Sequence, residues 1–257
     1  SLGGAKLTAE NTASSEFSGS ISGAGSIVKT GTGTLTLSGA NSHSGGTTVS
    51  QGELAITRTD ALGTGNVTLG NAGTLAISLD TDGTLANRIA GTGSLRKTGA
   101  GDLTLTAAGS SAGEVTVAEG GLVFGQTGTF TARSYDVSAN ASTSIGQNAQ
   151  LIVAGSFGQA AGSTLTVAIG RANDPAIQAA TASLAGGLVV TGFGQEAMTR
   201  ASALPTEKFT VIKTTGGISG DFNNVTIDAV SPVDYLTLTG SVTADDLNYQ
   251  VGLGLTW

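Results

Sequence analysis

The chain is 257 residues long, with 41 Gly, no Cys, 11% charged residues and a net charge of −7. That composition excludes a disulfide framework and thiolate metal sites, and no run of 18 apolar residues is present to form a membrane-spanning helix. Basic and acidic residues balance at six each over residues 1–100, and no Lys or Arg follows Lys213. The acidic excess therefore lies in the remainder, where it repels phosphate backbones and disfavours nucleic-acid partners.

Ser1-Leu2-Gly3-Gly4 starts in the middle of a pattern, which leads to the expectation of a segment cut from a longer protein. Residues 22–39 then read SGAGSIVKTGTGTLTLSG. Glycines ahead of Lys29-Thr30 suggest a phosphate-binding loop, but such a loop needs glycine directly before its lysine and a helix behind it. Here Val28 precedes the lysine, and TLTL alternates as a strand does. The stretch also recurs at 90–107 as AGTGSLRKTGAGDLTLTA, with ten of the eighteen positions identical. A structural repeat explains the duplication and a nucleotide pocket does not. Its signature is Gly23, Gly25, Lys29, Thr30, Gly31, Gly33, Leu35 and Leu37, matched by Gly91, Gly93, Lys97, Thr98, Gly99, Gly101, Leu103 and Leu105. The two copies stay in step, without insertion or deletion, from Ile21 and Ile89 to Leu54 and Leu122.

Apolar residues come in short bursts, at Ser26–Val28, Leu35–Leu37, Thr47–Val49, Leu54–Ile56, Val67–Leu69 and Leu75–Ile77. Each is rich in Val, Ile, Leu and Thr and bounded by turn residues, and no stretch of helical length keeps a 3.6 period. Ladders of small polar residues at tight corners, and a thin core nearly all Val, Ile, Leu and Ala, select a solenoid among the all-β folds. The distance from one copy to the next divides into three coils of about 22–23 residues. The chain is therefore predicted to form roughly eleven coils, a rod about 50 Å long at ~4.8 Å per coil.

The run FSGSISGAGSIVKTGTGTLTLSGANSHSGGTTVSQGELAI (17–56), continued by ALGTGNVTLGNAGTLAI (61–77) and repeated at 85–124, resembles the passenger-associated transport repeat of bacterial autotransporters, the type V secreted proteins that include the diffuse-adherence and self-associating adhesins. The second copy departs from the first at Arg96 and Asp102. The likeness loosens from 130 to 204 and sharpens again in FTVIKTTGGISGDFNNVTI (209–227) and LNYQVGLGLTW (247–257), which look like the end of a passenger ahead of its outer-membrane barrel. The resemblance implies a right-handed parallel β-helix at the bacterial cell surface, with a stem over 1–204 and a C-terminal cap over 205–257. It further implies that the cap, with Phe209, Phe222, Tyr249 and Trp257, acts as an autochaperone. The implied partners are the chain's own barrel, a second copy on another cell, or host surface and matrix components. The implied roles are adhesion, aggregation or biofilm formation, and release from the surface is an option. The fold alone does not fix the chemistry, and a stem carrying an enzyme or toxin upstream of Ser1 is the alternative.

Residues that carry catalysis are sparse. His43, in the turn ANSHSGG, is the one histidine, and Ser111 replaces it in the second copy, so it reads as a surface turn residue. Parallel β-helices that cleave glycans need converging carboxylates. Asp80 with Asp82 and Asp245 with Asp246 are the close pairs, and both read as turns. Tyr135, Tyr235, Tyr249 and Trp257 form no strip at coil spacing. The sequence reading is therefore of a non-enzymatic stem with no catalytic residue, cofactor or metal.

Overall fold

The computed structural model describes residues 1–125, 128–170, 175–192, 208–228 and 237–256. These form a β-solenoid in which strands one coil apart pair in parallel, and the only helical element among them is the 3-10 turn Thr59–Leu62. One ladder runs the length of the stack: Ser15, Leu35, Leu54, Leu75, Leu95, Val115, Tyr135, Phe157, Ala182 and Ile218 pair in succession. That is nine turns, close to the predicted eleven. At the ~4.8 Å strand spacing the rod is about 43 Å long.

Each coil has three faces. The first holds Leu7, Ile27, Thr47, Val67 and Ile89 one above another. The second is the long ladder. The third begins with Gly23 over His43 and continues as Leu85, Leu105, Phe124, Ile145, Val167, Val190 and Ile227. Inward side chains from all three merge into one continuous apolar core, and each face alternates buried and outward residues, as in Ser26–Thr30 and Leu103–Leu105.

Two features differ from the sequence reading. The bursts 47–49 and 54–56 belong to one strand, Thr47–Ile56, and 67–69 and 75–77 to another, Val67–Ser78. The chain bends from the first face to the second without leaving the ladder, through a bulge where the register slips between Val49 and Gln51 and Gly52 adopts φ +69°. Turn length also differs. From Ser15 to Tyr135 the long ladder takes six steps, which makes each turn about 20 residues, at the short end for a solenoid repeat. The interval between the two copies is thus three turns and about a third, not three. The consequence is visible in the pairing: Ile27 and Leu35 of the first copy lie on the first and second faces, whereas their counterparts Leu95 and Leu103 lie on the second and third. The second copy is rotated about the rod by one face.

The parallel ladders continue through Lys208–Thr214, Ile218–Gly220 and Asn224–Ile227. The stack then changes direction, because Asn248–Thr256 pairs antiparallel with Lys208–Thr214 and with Thr237–Ala244.

Candidate functional site: the repeat corners and the C-terminal end

The Lys-Thr-Gly of each repeat lies at a corner of the coil, and its lysine points inward. Lys29 and Lys97 are both fully buried. Lys29 Nζ donates to the carbonyl oxygens of Thr30 at 2.7 Å, Gly31 at 2.8 Å and Gln51 at 3.3 Å. Lys97 Nζ does the same to Thr98 at 2.8 Å, Gly99 at 2.8 Å and Glu119 at 3.2 Å. An ammonium has three protons to give, and here all three go to backbone carbonyls at the corner, the third on the next coil. The side chain clamps one coil to its neighbour. Burial lowers the proton affinity of both lysines; for Lys97 the charges of Asp102, Glu119, Asp80 and Asp82 push the other way.

The glycines make this approach possible. Gly31 and Gly99 adopt φ +74° and +79°, and a Cβ on either would collide with a carbonyl oxygen of the coil before, that of Asn11 or Leu79. Gly33 and Gly101 meet Ala13 and Thr81 as closely, and Gly25 and Gly93 meet Ala5 and Gly70. Gly23 and Gly91 likewise have positive φ. Leu35, Leu37, Leu103 and Leu105 supply the buried side of the strand that follows, and Thr30 and Thr98 stand half-buried between clamp and glycine. Every signature position is thereby used by the corner or by the strands beside it.

His43 is not a surface turn residue. It is fully buried, its Nε2 lies 3.0 Å from Thr47 Oγ1, and its Nδ1 has no hydrogen-bond partner. The ring occupies space that a side chain at Gly63 on the next coil would need, with Gly63 packed against Nδ1, and Gly23 pairs with His43 in the ladder on the other side. Burial lowers its proton affinity below the usual imidazole value. Its counterpart Ser111 is half-buried and accepts from Gly91 N–H.

The core is also more aromatic than the sequence reading held. Phe124, Phe130, Tyr135 and Phe157 are buried in the middle of the rod, with Phe124 5.0 Å from Phe130 and 6.0 Å from Tyr135. Tyr135 and Phe157 do stand one coil apart, stacked at 5.8 Å. Their position was legible only with the shorter turn in hand, which places both on the inward register of one ladder. Tyr135 hydroxyl bonds to Thr143 Oγ1 at 2.8 Å, so no ring of this group is offered to a ligand.

At the C-terminal end Phe222 and Tyr249 are buried and pack edge to face at 4.9 Å, while Phe209 is half-buried against the core. Burial and the neighbouring Asp221, which accepts from the phenol, raise the proton affinity of Tyr249. Trp257 and Tyr235 lie outside the described residues.

One member of each carboxylate pair is held by backbone N–H groups, Asp82 from the next coil and Asp245 within its own turn. Asp82 Oδ1 accepts from Asp102 N–H. Asp245 Oδ1 accepts from Leu247 and Asn248 N–H, which holds the Asp245 carboxyl below its ordinary range. Among the described residues no group of three or more His, Asp or Glu side chains is arranged to hold a metal ion.

The comparisons with known proteins agree with this geometry. The passenger-associated-transport-repeat family matches residues 27–56 and 95–124, the two segments that begin at the inward residue ahead of each clamp lysine. The chain is also similar to the adhesin BmaC autotransporter of Brucella suis biovar 1 (strain 1330), 40% identical over 75 residues. That match covers 29% of this chain and 2% of the relative's length. The chain thus carries two segments similar to the passenger-associated-transport-repeat on one solenoid, and over a short stretch it is similar to an autotransporter adhesin.

Proposed function

We propose that the chain is the β-helical stem of an autotransporter adhesin, held at the outer membrane by its own barrel and displayed on the extracellular side. The observation that carries the reading is the pair of lysine clamps inside matched repeats. They are fully committed to holding coil on coil, which is work a stem needs and a catalyst does not. A stack of this kind gains its stability from neighbour to neighbour, so it can fold progressively as it emerges and retain what has been exported. The strands at its C-terminal end reverse direction and cover an edge that would otherwise pair with other chains. Residues 205–257, with Phe209, Phe222 and Tyr249, are proposed to fold first and to template the coils before them. The role is display and contact between cells or with host surfaces, without enzymatic chemistry.

Surface display tests it. In the full-length protein, substituting both clamps (Lys29→Met with Lys97→Met) should reduce the amount of passenger reached by external protease and reduce cell clumping in proportion. Normal display with normal clumping would refute the reading, and so would hydrolysis of a glycan or peptide by the isolated chain.

A further inference from the structure

The corner between the first and second faces carries two cavities towards the C-terminal end of the rod. The ladders slip in register there, between Ala132 and Tyr135 and again between Val153 and Ser156, and slips of this kind bend the strand. Side by side along this corner lie a cavity of about 440 Å³ on the second face and one of about 240 Å³ on the first, which together form a trough. Its floor is Gly158, Ala182 and Ile218, with Gly216 and Gly217 as the lip. Hydroxyls of Ser156, Thr181, Ser183 and Ser219 rim the larger cavity, and Gln178, Lys213 and Thr215 rim the smaller.

Asp136 stands at one end. Its carboxylate lies over Gly158, so close that a Cβ there would collide with Oδ1. Among the described residues it accepts no hydrogen bond, and partial desolvation together with the charge of Glu114 raises its proton affinity although the side chain stays exposed. A carboxylate has two oxygens that only accept, and here neither is used by the protein.

We propose that this trough binds a neutral oligosaccharide, with Asp136 accepting from adjacent sugar hydroxyls. The size lies in the range of small-molecule sites, and three coils span about 10 Å, the length of two to three pyranose rings. Hydroxyl-lined walls match a polyhydroxylated ligand, and the floor of glycine and aliphatic carbon suits the C–H face of a sugar. Asp136 and Lys213 are the one acidic and the one basic residue of the two linings, so the trough carries no net charge and suits a neutral ligand. This inference stands apart from the stem reading, since a stem without a ligand would work equally well as a stem.

Saturation-transfer NMR on the 257-residue chain with millimolar maltotriose, cellotriose and chitotriose tests it. Transfer to at least one neutral trisaccharide is expected, with affinity falling at least tenfold in Asp136→Ala and in Gly158→Val, which fills the floor. Asp136 is exposed and without a hydrogen-bond partner among the described residues, so its substitution leaves the fold intact, as circular dichroism should confirm. Glu10→Ala, near the opposite end of the rod, should bind as the parent does. No transfer from any of the three sugars overturns the proposal. Binding that survives both trough substitutions overturns it as well, and so does preference for a sulfated trisaccharide over its neutral form.

Discussion

A lysine followed by threonine and glycine suggests a ligand, yet here the ammonium is a structural cation whose counter-dipoles are backbone carbonyls. Lys29→Met keeps the aliphatic stem and removes the donor, so three carbonyls each lose a bond, that of Thr30 keeping the one from Asn11 N–H. The expected loss is about 1–3 kcal/mol, read as a lower urea midpoint, whereas Lys6→Met on an exposed strand should change nothing. Lys97→Met should cost more, because Asp80, Asp82, Asp102 and Glu119 then lose the charge they surround, and the excess should shrink as salt is raised. His43 makes a separate prediction. Its folded proton affinity is lowered, so the unfolded chain takes up a proton that the folded chain excludes. Stability is therefore complete above about pH 6.5 and declines as pH falls towards the lowered value, at up to about 1.4 kcal/mol per pH unit. His43→Gln should abolish that slope between pH 5 and 7, measured by urea unfolding at each pH. Neither burial was legible in the sequence. An ionisable side chain between turn residues reads as solvated. Part of what reverses it lies a full coil away along the chain: the third carbonyl of each clamp, and Gly63 against the His43 ring.

Strands and their faces were far easier to read. The inward register at Leu35, Leu54, Leu103 and Leu122 follows from alternation alone, because period two is set by the backbone itself. Less legible was that Thr47–Ile56 and Val67–Ser78 run unbroken across a corner; Gly52 and Gly70 look like ends of strands, but in a bulge glycine continues the ladder. The unrecognised ring cluster matters for stability. Phe222→Ala at the C-terminal end and Phe157→Ala in mid-rod should each cost about 3–5 kcal/mol. If residues 205–257 seed the stack, only Phe222→Ala should also slow refolding, and by more than Leu35→Ala does. Equal slowing by both phenylalanine variants would show nucleation to be spread along the rod. Hydrogen exchange should be fastest in the first coil, where Leu7 and Phe17 remain 39% and 42% exposed.

At the scale of the molecule, the solenoid class was legible because glycine corners, β-branched strands and the repeat all pointed the same way. The turn length was not, since the interval between copies divides plausibly by three and nothing local reveals the extra third. The rod should scatter X-rays as an elongated particle and unfold over a broad, multi-step range, as nearest-neighbour stacks do. If copies associate through the outward Thr and Ser of the flat faces, clumping of cells that display the protein should persist at high salt, because charged contacts are few; loss of clumping with salt would assign it to ion pairs. The one-face rotation between the repeats has a genetic consequence. Recombination between the two matching segments would delete one whole repeat interval, shortening the rod by about three strand spacings. It would also turn everything before the junction by one face, a third of a revolution, relative to everything after it. An exchange that the chain tolerates as a fold would thus re-aim whatever the distal end presents. Only gain or loss of three copies would bring it back into phase, so copy number acts as a compass as well as a ruler.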